Sequence, residues 1–351
     1  MIFMPISNFI SNGILSISAL AIDWLFLLLE YLSDFSINQF TFSGIPSNYL
    51  IIAFVGLLVI LLPRGFPARW LGIIAFLPAL LFQTEKPSEG EFTFTLLDAG
   101  QGMASVIKTT NHTLVYDVGT RMSDSYDLGK LVVIPYLKVN RIDHVDTLVL
   151  SHDDIDHKGG AEKVLEAVDV RTVLASHRTF LKSKLVDVCI AGNKWTWDGV
   201  EFEVLSPSVN LHSKVHTENI SDNNLSCVIR ISNGHHSLLL TGDIEKRVES
   251  RLVDHLGEKL KSDVMSVPHH GSKTSSSSKF LTAVSPELAL VPSGYLNRFG
   301  HPKKNVLDRY DEHGIKIMDT VNDGAITIHF LKTGTYNVDS YREKNRGFWS
   351  R

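Results

Sequence analysis

Between Leu150 and Ala161 the chain reads Ser151-His152-Asp153-Asp154-Ile155-Asp156-His157-Lys158-Gly159-Gly160. His152, Asp154, Asp156 and His157 bring imidazole nitrogens and carboxylate oxygens into one short loop. Carboxylates held this close repel one another, and a divalent cation is the simplest relief. The two glycines let the backbone turn sharply into whatever follows. Three later pieces add donors: Thr241-Gly242-Asp243, a lone carboxylate suited to bridging two cations; Pro268-His269-His270-Gly271-Ser272, an imidazole pair; and Gly300-His301-Pro302, a late histidine in a turn. Each alone is an ordinary turn. Together, in this order, they point to a metal centre.

The pieces share a setting. Val145 to Leu150 has β character and Ala161 to Val168 has helical spacing, so the acidic loop caps a strand and opens a helix. Other short apolar runs read as strands: 92–97, 104–108, 112–116, 172–174, 202–205, 227–231, 237–241, 264–267, 288–292 and 325–330. Asp98, Asp117, His152, Asp243 and His269 each stand at or just past such a run. An α/β protein builds a site in this way, with a rigid sheet presenting loop residues along one rim.

Residues 1–83 differ in kind. The runs 49–62 and 70–82 carry no charge and flank a turn containing Arg64 and Arg69, which predicts a membrane hairpin. Residues 10–32 form a third apolar stretch, interrupted by Asp23 and Glu30, which suits a bundle-facing or interfacial helix. If the arginine loop is cytoplasmic, the chain after Gln83 lies across the inner membrane, on the periplasmic or extracellular side. Residues 84–90 then form a linker, 91–332 a catalytic domain and 333–351 a tail. The chain of 351 residues has a formal net charge of -4, so nucleic acid would need a local patch or the metal centre to hold it. Cys189 and Cys227 lie in apolar contexts and read as small buried hydrophobes rather than a zinc pair, with a single disulfide left open.

His152-x-Asp154-x-Asp156-His157, the Thr241-Gly242-Asp243 strand end and the later histidines resemble the metal motifs of the metallo-β-lactamase superfamily. More narrowly, Leu97 to Gly102, Ser151 to Gly160, Asn224 to Val228, Leu240 to Ile244, Pro268 to Ser272 and Gly300 to Pro302 resemble the C-terminal domain of the ComEC family, DNA-uptake channels of competent bacteria. The ending Asp339 to Arg342 and Arg346 to Trp349 is similar to that of its proteobacterial members. The resemblance implies an αββα sandwich behind an N-terminal helical membrane segment. It also implies DNA, single-stranded during uptake, as a partner, together with the membrane and other competence proteins. Two positions depart from the pattern: Asp154 stands where the superfamily has histidine, and Met103 where many relatives have aspartate. Three apolar segments do not enclose a DNA pore, so the chain is expected to be a piece of a longer channel or to work with partners.

The expected chemistry is metal-assisted phosphodiester hydrolysis. One or two divalent ions, manganese or zinc with magnesium also admissible, would be held by His152, Asp154, Asp156, His157, Asp243 and one of His269 and His270, the first of the pair being assigned to the metal. Asp156 is counted among the catalytic groups as well, with His270 and His301 as candidates to protonate the leaving oxygen. Asp98 and Asp117 would fix ligand orientation. Ser272, Lys273 and Thr274 would contact phosphate, whereas Lys303 and Lys304 read as a solvated turn. The competing expectations are a hydrolase of a small phosphodiester, phosphocholine or lactone, and a catalytically degenerate module of a channel.

Overall fold

The computed structural model describes residues 4–33, 44–63, 65–82, 84–123, 126–176, 186–213 and 220–346. It divides into two units, Met1–Leu80 and Leu81–Arg351.

The first unit is helical. Among its described residues, Ser11–Ser33 is the one helix long and apolar enough to cross a membrane, with a mean hydropathy of 1.8, while Ser47–Ile60 and Leu71–Leu81 are shorter. The sequence expectation gave residues 10–32 a bundle-facing or interfacial place beside a hairpin of the two shorter runs; by length and composition the longer helix could itself span. Two acidic side chains do not outweigh the remaining apolar residues of the longer helix. The shorter pair still forms a hairpin, closed through glycine: a Cβ on Gly56 would lie 2.6 Å from the Gly72 carbonyl oxygen, and one on Gly72 would lie 2.4 Å from that of Gly56. Backbones approach this closely only where both residues are small. Arg69 donates to the Leu62 carbonyl at 3.1 Å and ties the turn; Arg64 lies outside the described residues.

The second unit is two facing sheets. The chain lays down β1 (Phe92–Leu96), β2 (Ala104–Lys108), β3 (Thr113–Val118), β4 (His144–Leu150), β5 (Asp169–Ala175) and β6 (Val186–Val188) in the first sheet. It continues with β7 (Lys194–Trp197), β8 (Val200–Ser206), β9 (Val228–Ser232), β10 (Ser237–Leu240), β11 (Val264–Ser266), β12 (Leu288–Val291) and β13 (Lys316–Asp319) in the second. Then β14 (Ile326–Phe330) and β15 (Tyr336–Ser340) return to the first, giving the orders β15-β14-β1-β2-β3-β4-β5-β6 and β13-β12-β11-β10-β9-β8-β7. The run β3 to β6 and the run β10 to β13 are parallel; the remaining pairs are antiparallel.

Sequence explains the layering. β11, β12 and the second half of β4, Leu148 to Leu150, are almost wholly apolar and buried on both faces, as parallel strands must be when helices cover them. Phe92, Phe94, Leu96 and Tyr116 of one sheet interlock with Phe202, Ile229, Leu238 and Val264 of the other. Each outer face packs a separate apolar cluster under helices, one including Leu137 and Val164 and the other Val248, Leu252, Phe280 and Tyr310. The result is the expected αββα sandwich.

Two further expectations are corrected. Residues 333–346 are not a tail: β15 pairs with β14 from Ile326↔Ser340 to Phe330↔Tyr336, and the helix Tyr341–Lys344 closes over the strand end. The motif residues 347–349 lie outside the described residues. Cys189 and Cys227 are fully buried, as expected, but are joined in a disulfide. Cys189 follows β6 and Cys227 precedes β9, so the bond staples one sheet to the other, a constraint typically worth about 2–4 kcal/mol.

Candidate metal centre

The chemistry-bearing residues stand on one rim, past the C-terminal ends of neighbouring strands. Ser151 and His152 follow β4, and Asp154 to His157 lead into the short helix Ile155–Lys158. Asp243 follows β10 through Thr241-Gly242, and His269 and His270 follow β11. The local backbone is fitted to the task. Gly242 has φ +53° and sits where a Cβ would lie 2.8 Å from Ser226, whose Oγ accepts the Asp243 amide at 3.0 Å. Gly102 has φ +125°, and a Cβ there would lie 2.2 Å from the Asp156 carbonyl oxygen. His269 and His270 both adopt left-handed backbone, with φ 52° and 53°. Strain at consecutive non-glycine residues is the kind that persists where a site requires it.

Hydrogen bonds fix how each imidazole points. Asp117, fully buried near the end of β3, accepts from His157 Nδ1 at 2.7 Å. Its carboxylate also accepts from the Ser151 amide and hydroxyl, each at 2.7 Å. Because the Ser151 hydroxyl proton is committed to Asp117, its oxygen accepts from His152 Nδ1 at 2.9 Å. His270 Nδ1 faces the Pro292 carbonyl at 2.7 Å, and a carbonyl only accepts. In all three rings the proton therefore sits on Nδ1, which leaves the Nε2 lone pair directed into the site.

Those lone pairs converge on Asp243. Its Oδ1 is 3.3 Å from His157 Nε2, and its Oδ2 is 3.4 Å from His270 Nε2, 3.8 Å from His269 Nε2 and 4.0 Å from His152 Nε2. His157 Nε2 and His270 Nε2 face each other at 3.1 Å, an arrangement of two lone pairs that requires a proton or cation between them. His152 Nε2 is buried without a hydrogen-bond partner. Asp156 Oδ2 lies 3.4 Å from His270 Nε2. Two overlapping trios of donor atoms result, His152/His157/Asp243 and Asp156/His157/His270, each with its donors within 4.8 Å of one another. Donors around one tetrahedral ion at about 2.1 Å sit roughly 3.4 Å apart, so the residues present fit a divalent cation.

Electrostatics agree with that fit. Burial is the largest single influence on His157 and His270 and pushes both down, but Asp243, joined by Asp117 at His157 and by Asp156 at His270, outweighs it, and both imidazoles are held above their ordinary range. Burial would likewise raise Asp243 and Asp156, yet the imidazoles hold both carboxyls below theirs. The carboxylates thus draw positive charge onto the imidazoles at the place where a cation would put it. At the mouth the balance reverses: burial lowers His269, and burial with the neighbouring His269, His270 and Lys303 brings His301 down to about 4.

The other expected site residues are distributed unevenly. Asp154 sits at the edge, half exposed, 3.5 Å from His152 Nε2. Asp117 orients ligands as expected, through both a direct and a serine-relayed bond. Asp98 does not: its carboxylate pairs with Arg342 at 2.7 Å, in a different concavity that Leu131 and Tyr136 also line. Of the histidine pair, between which the sequence reading left the ligand open, His270 is buried within a donor trio while His269 lies at the mouth, beside Asn223 and Thr274. His301 stands over His269, ring centroids 5.9 Å apart. Thr274 Oγ1 is 3.3 Å from His269 Nδ1, Ser272 is buried and bonded to Thr274, and Lys273 is exposed. Lys304 pairs with Asp308 on its own helix. Sequence reading missed the Ser151 relay, Ser226 and Asn223. It quoted Asn224 to Val228 without a role; Asn224 exchanges two bonds with Glu245 and so holds the turn that carries Asp243.

The chain is 37% identical to Competence protein ComA of Neisseria gonorrhoeae over 85% of its own length and 41% of the relative's. It is 34% identical to Recombination protein 2 of Haemophilus influenzae over 74% and 31%, so it spans about two fifths or less of these relatives. Among solved structures it is similar to Igni18, a metallo hydrolase from Ignicoccus hospitalis, with 12% identity, 71% of this chain and 99% of that chain covered, and a TM-score of 0.42. The model of the Metallo-beta-lactamase superfamily matches residues 97–294, the stretch that carries eleven of the fifteen strands and both donor trios, and the chain belongs to that superfamily.

Proposed function

We propose that the second unit is a metal-dependent phosphodiesterase acting on DNA, the nuclease domain of a membrane protein of DNA uptake. The observation that carries the reading is the convergence of the His152, His157 and His270 lone pairs on buried Asp243. His152, His157, His270, Asp243 and Asp156 would hold the ion, with Asp154 completing the edge. A bound zinc, manganese or magnesium ion would lower the pKa of its water and neutralise charge growing on a phosphoryl oxygen. The chain's own groups supply the rest. Asp117 keeps two imidazoles in register through Ser151 and directly. His269 and His301, held neutral at physiological pH, can accept the proton that an attacking water loses and return it to the leaving oxygen. Lys273 and Thr274, exposed just past His269, suit a phosphate. DNA as substrate is supported by the competence and recombination proteins to which the chain is similar.

The helix Ser11–Ser33 and the glycine-closed hairpin support a place in the inner membrane. The disulfide and the two arginines between the shorter helices support a periplasmic or extracellular second unit, since disulfides persist where the surroundings oxidise. The test uses the full chain in detergent. Bis(p-nitrophenyl) phosphate and a single-stranded oligonucleotide are offered after chelation and after return of manganese, zinc or magnesium. Hydrolysis of both, abolished by chelation and restored by one metal, is expected; hydrolysis that survives chelation, or that spares the oligonucleotide, would contradict the reading.

A further inference from the structure

The loop between β12 and the helix Lys304–Glu312 is built to present apolar surface to water beside the metal centre. Tyr295 and Leu296 are 78% and 84% exposed, the largest exposures of any large apolar side chain described in the second unit. Leu296 also adopts left-handed backbone, φ 48°, a conformation that a bulky residue takes only when its surroundings impose it. The imposition is visible. Asn297 donates to the carbonyls of Gly294 at 3.0 Å and His301 at 2.6 Å and accepts the His301 amide at 2.9 Å, closing the loop on itself. Lys303 donates to the Phe299 carbonyl at 2.6 Å. Gly294 seats the loop base against Gln101, where a Cβ would lie 2.7 Å from the Gln101 nitrogen. The loop is thus closed by polar bonds while Tyr295 and Leu296 stand in solvent, an inversion of ordinary packing.

Its outer surface continues the centre. From His269 the rings of His301 and Phe299 follow in contact, with centroids 5.9 and 5.7 Å apart, the second pair nearly parallel at 21°. The Arg298 guanidinium lies over Phe299 at 4.7 Å, and no carboxylate pairs with it among the described residues. Tyr295, Leu296 and His301 line one cavity of about 470 Å³, within the range of small-ligand sites. Asp319 also borders that cavity, and Arg298 and Phe299 stand outside its lining, so a strand passing along the loop would meet the exposed faces of Tyr295 and Leu296 and the Arg298 guanidinium, with the metal centre beyond His301. Unpaired nucleobases joined by phosphates have that complementarity: every base offers a face for stacking, and the phosphate answers the guanidinium.

We infer that the loop 294–301 is a stacking platform for unpaired nucleobases, with Tyr295 and Leu296 contacting bases and Arg298 a phosphate, which threads a single strand toward the metal centre. This rests on the phosphodiesterase reading for its purpose, not for its binding. The test therefore separates the two, using the full chain in detergent loaded with manganese. Oligothymidylate binding is followed by fluorescence anisotropy, and hydrolysis of oligothymidylate and of bis(p-nitrophenyl) phosphate is measured alongside. Tyr295→Ala is expected to weaken oligonucleotide binding about tenfold and to raise KM for its hydrolysis equally, with Tyr295→Trp close to wild type. Turnover of bis(p-nitrophenyl) phosphate should stay within twofold. Arg298→Ala should weaken binding and flatten its salt dependence. Oligonucleotide binding unchanged in both alanine variants would overturn the platform whatever the enzymology. Tight, Tyr295-dependent binding without hydrolysis would uphold the platform and overturn the phosphodiesterase reading instead.

Discussion

Asp243→Asn is expected to weaken divalent-cation binding by more than about a hundredfold, beyond what losing an outer partner of a metal ligand costs. Asp243 is the carboxylate on which His152, His157, His269 and His270 all converge, at 3.3 to 4.0 Å, and it is nearly fully buried. Asparagine keeps the shape and removes the charge. One of its two oxygens becomes an amide nitrogen, which offers protons where lone pairs from three rings already point. The four imidazoles then gather with only Asp156 and edge-bound Asp154 to balance a cation. Isothermal calorimetry of chelator-treated wild type and variant with manganese and zinc measures the effect. Affinity of the variant within tenfold of wild type would mean that the ion, if bound, is held elsewhere.

Asp117→Ala should produce the second largest effect, a ten- to hundredfold fall in metal affinity without any direct ligand being lost. Its carboxylate holds His157 directly and His152 through Ser151, so its removal frees both rings to change tautomer and tilt. It also strands the buried Ser151 amide, which should cost about 1–3 kcal/mol of stability. The two consequences are separable. Ser151→Ala breaks only the relay to His152 and leaves the Asp117–His157 bond, so it should lie between wild type and Asp117→Ala in affinity while losing less stability. Calorimetry paired with denaturant unfolding reads both quantities. Equal metal affinity in all three proteins would show that ring orientation is set by packing alone.

Every internal strand of both sheets is legible in the sequence, and the four that are not, β6, β7, β13 and β15, are the four sheet edges. The reason is burial. An internal strand must be apolar on the face it packs, and its run of Val, Leu and Ile is conspicuous. An edge strand such as Lys194-Trp195-Thr196-Trp197 or Tyr336-Asn337-Val338-Asp339-Ser340 is half exposed and mixes polar with apolar residues. The taking of 333–346 for a tail follows from the same cause.

The centre divides in a similar way. Ligand types and their places at strand ends follow from local sequence, so His152, Asp156, His157 and Asp243 could be found. What depends on tertiary geometry could not. Nothing local distinguishes His269 from His270; only the Pro292 carbonyl, 22 positions away, turns His270 inward. Asp98 stands at a strand end like the residues of the donor cluster, yet Arg342 claims it from the far end of the domain. Ser151 was read as part of a loop, and its role as a relay emerges only when Asp117 arrives from the neighbouring parallel strand.

The buried imidazole and carboxylate cluster fits a divalent cation. The most direct test is elemental analysis of the purified full chain after dialysis against manganese and zinc, with thermal unfolding of the same samples. The account predicts one or two ions per chain, removed by chelator, with the melting temperature of the second unit rising on metal return in the wild type but not in Asp243→Asn. A wild-type chain that retains no metal, and whose unfolding is indifferent to it, would contradict the account and leave the cluster a proton-filled core.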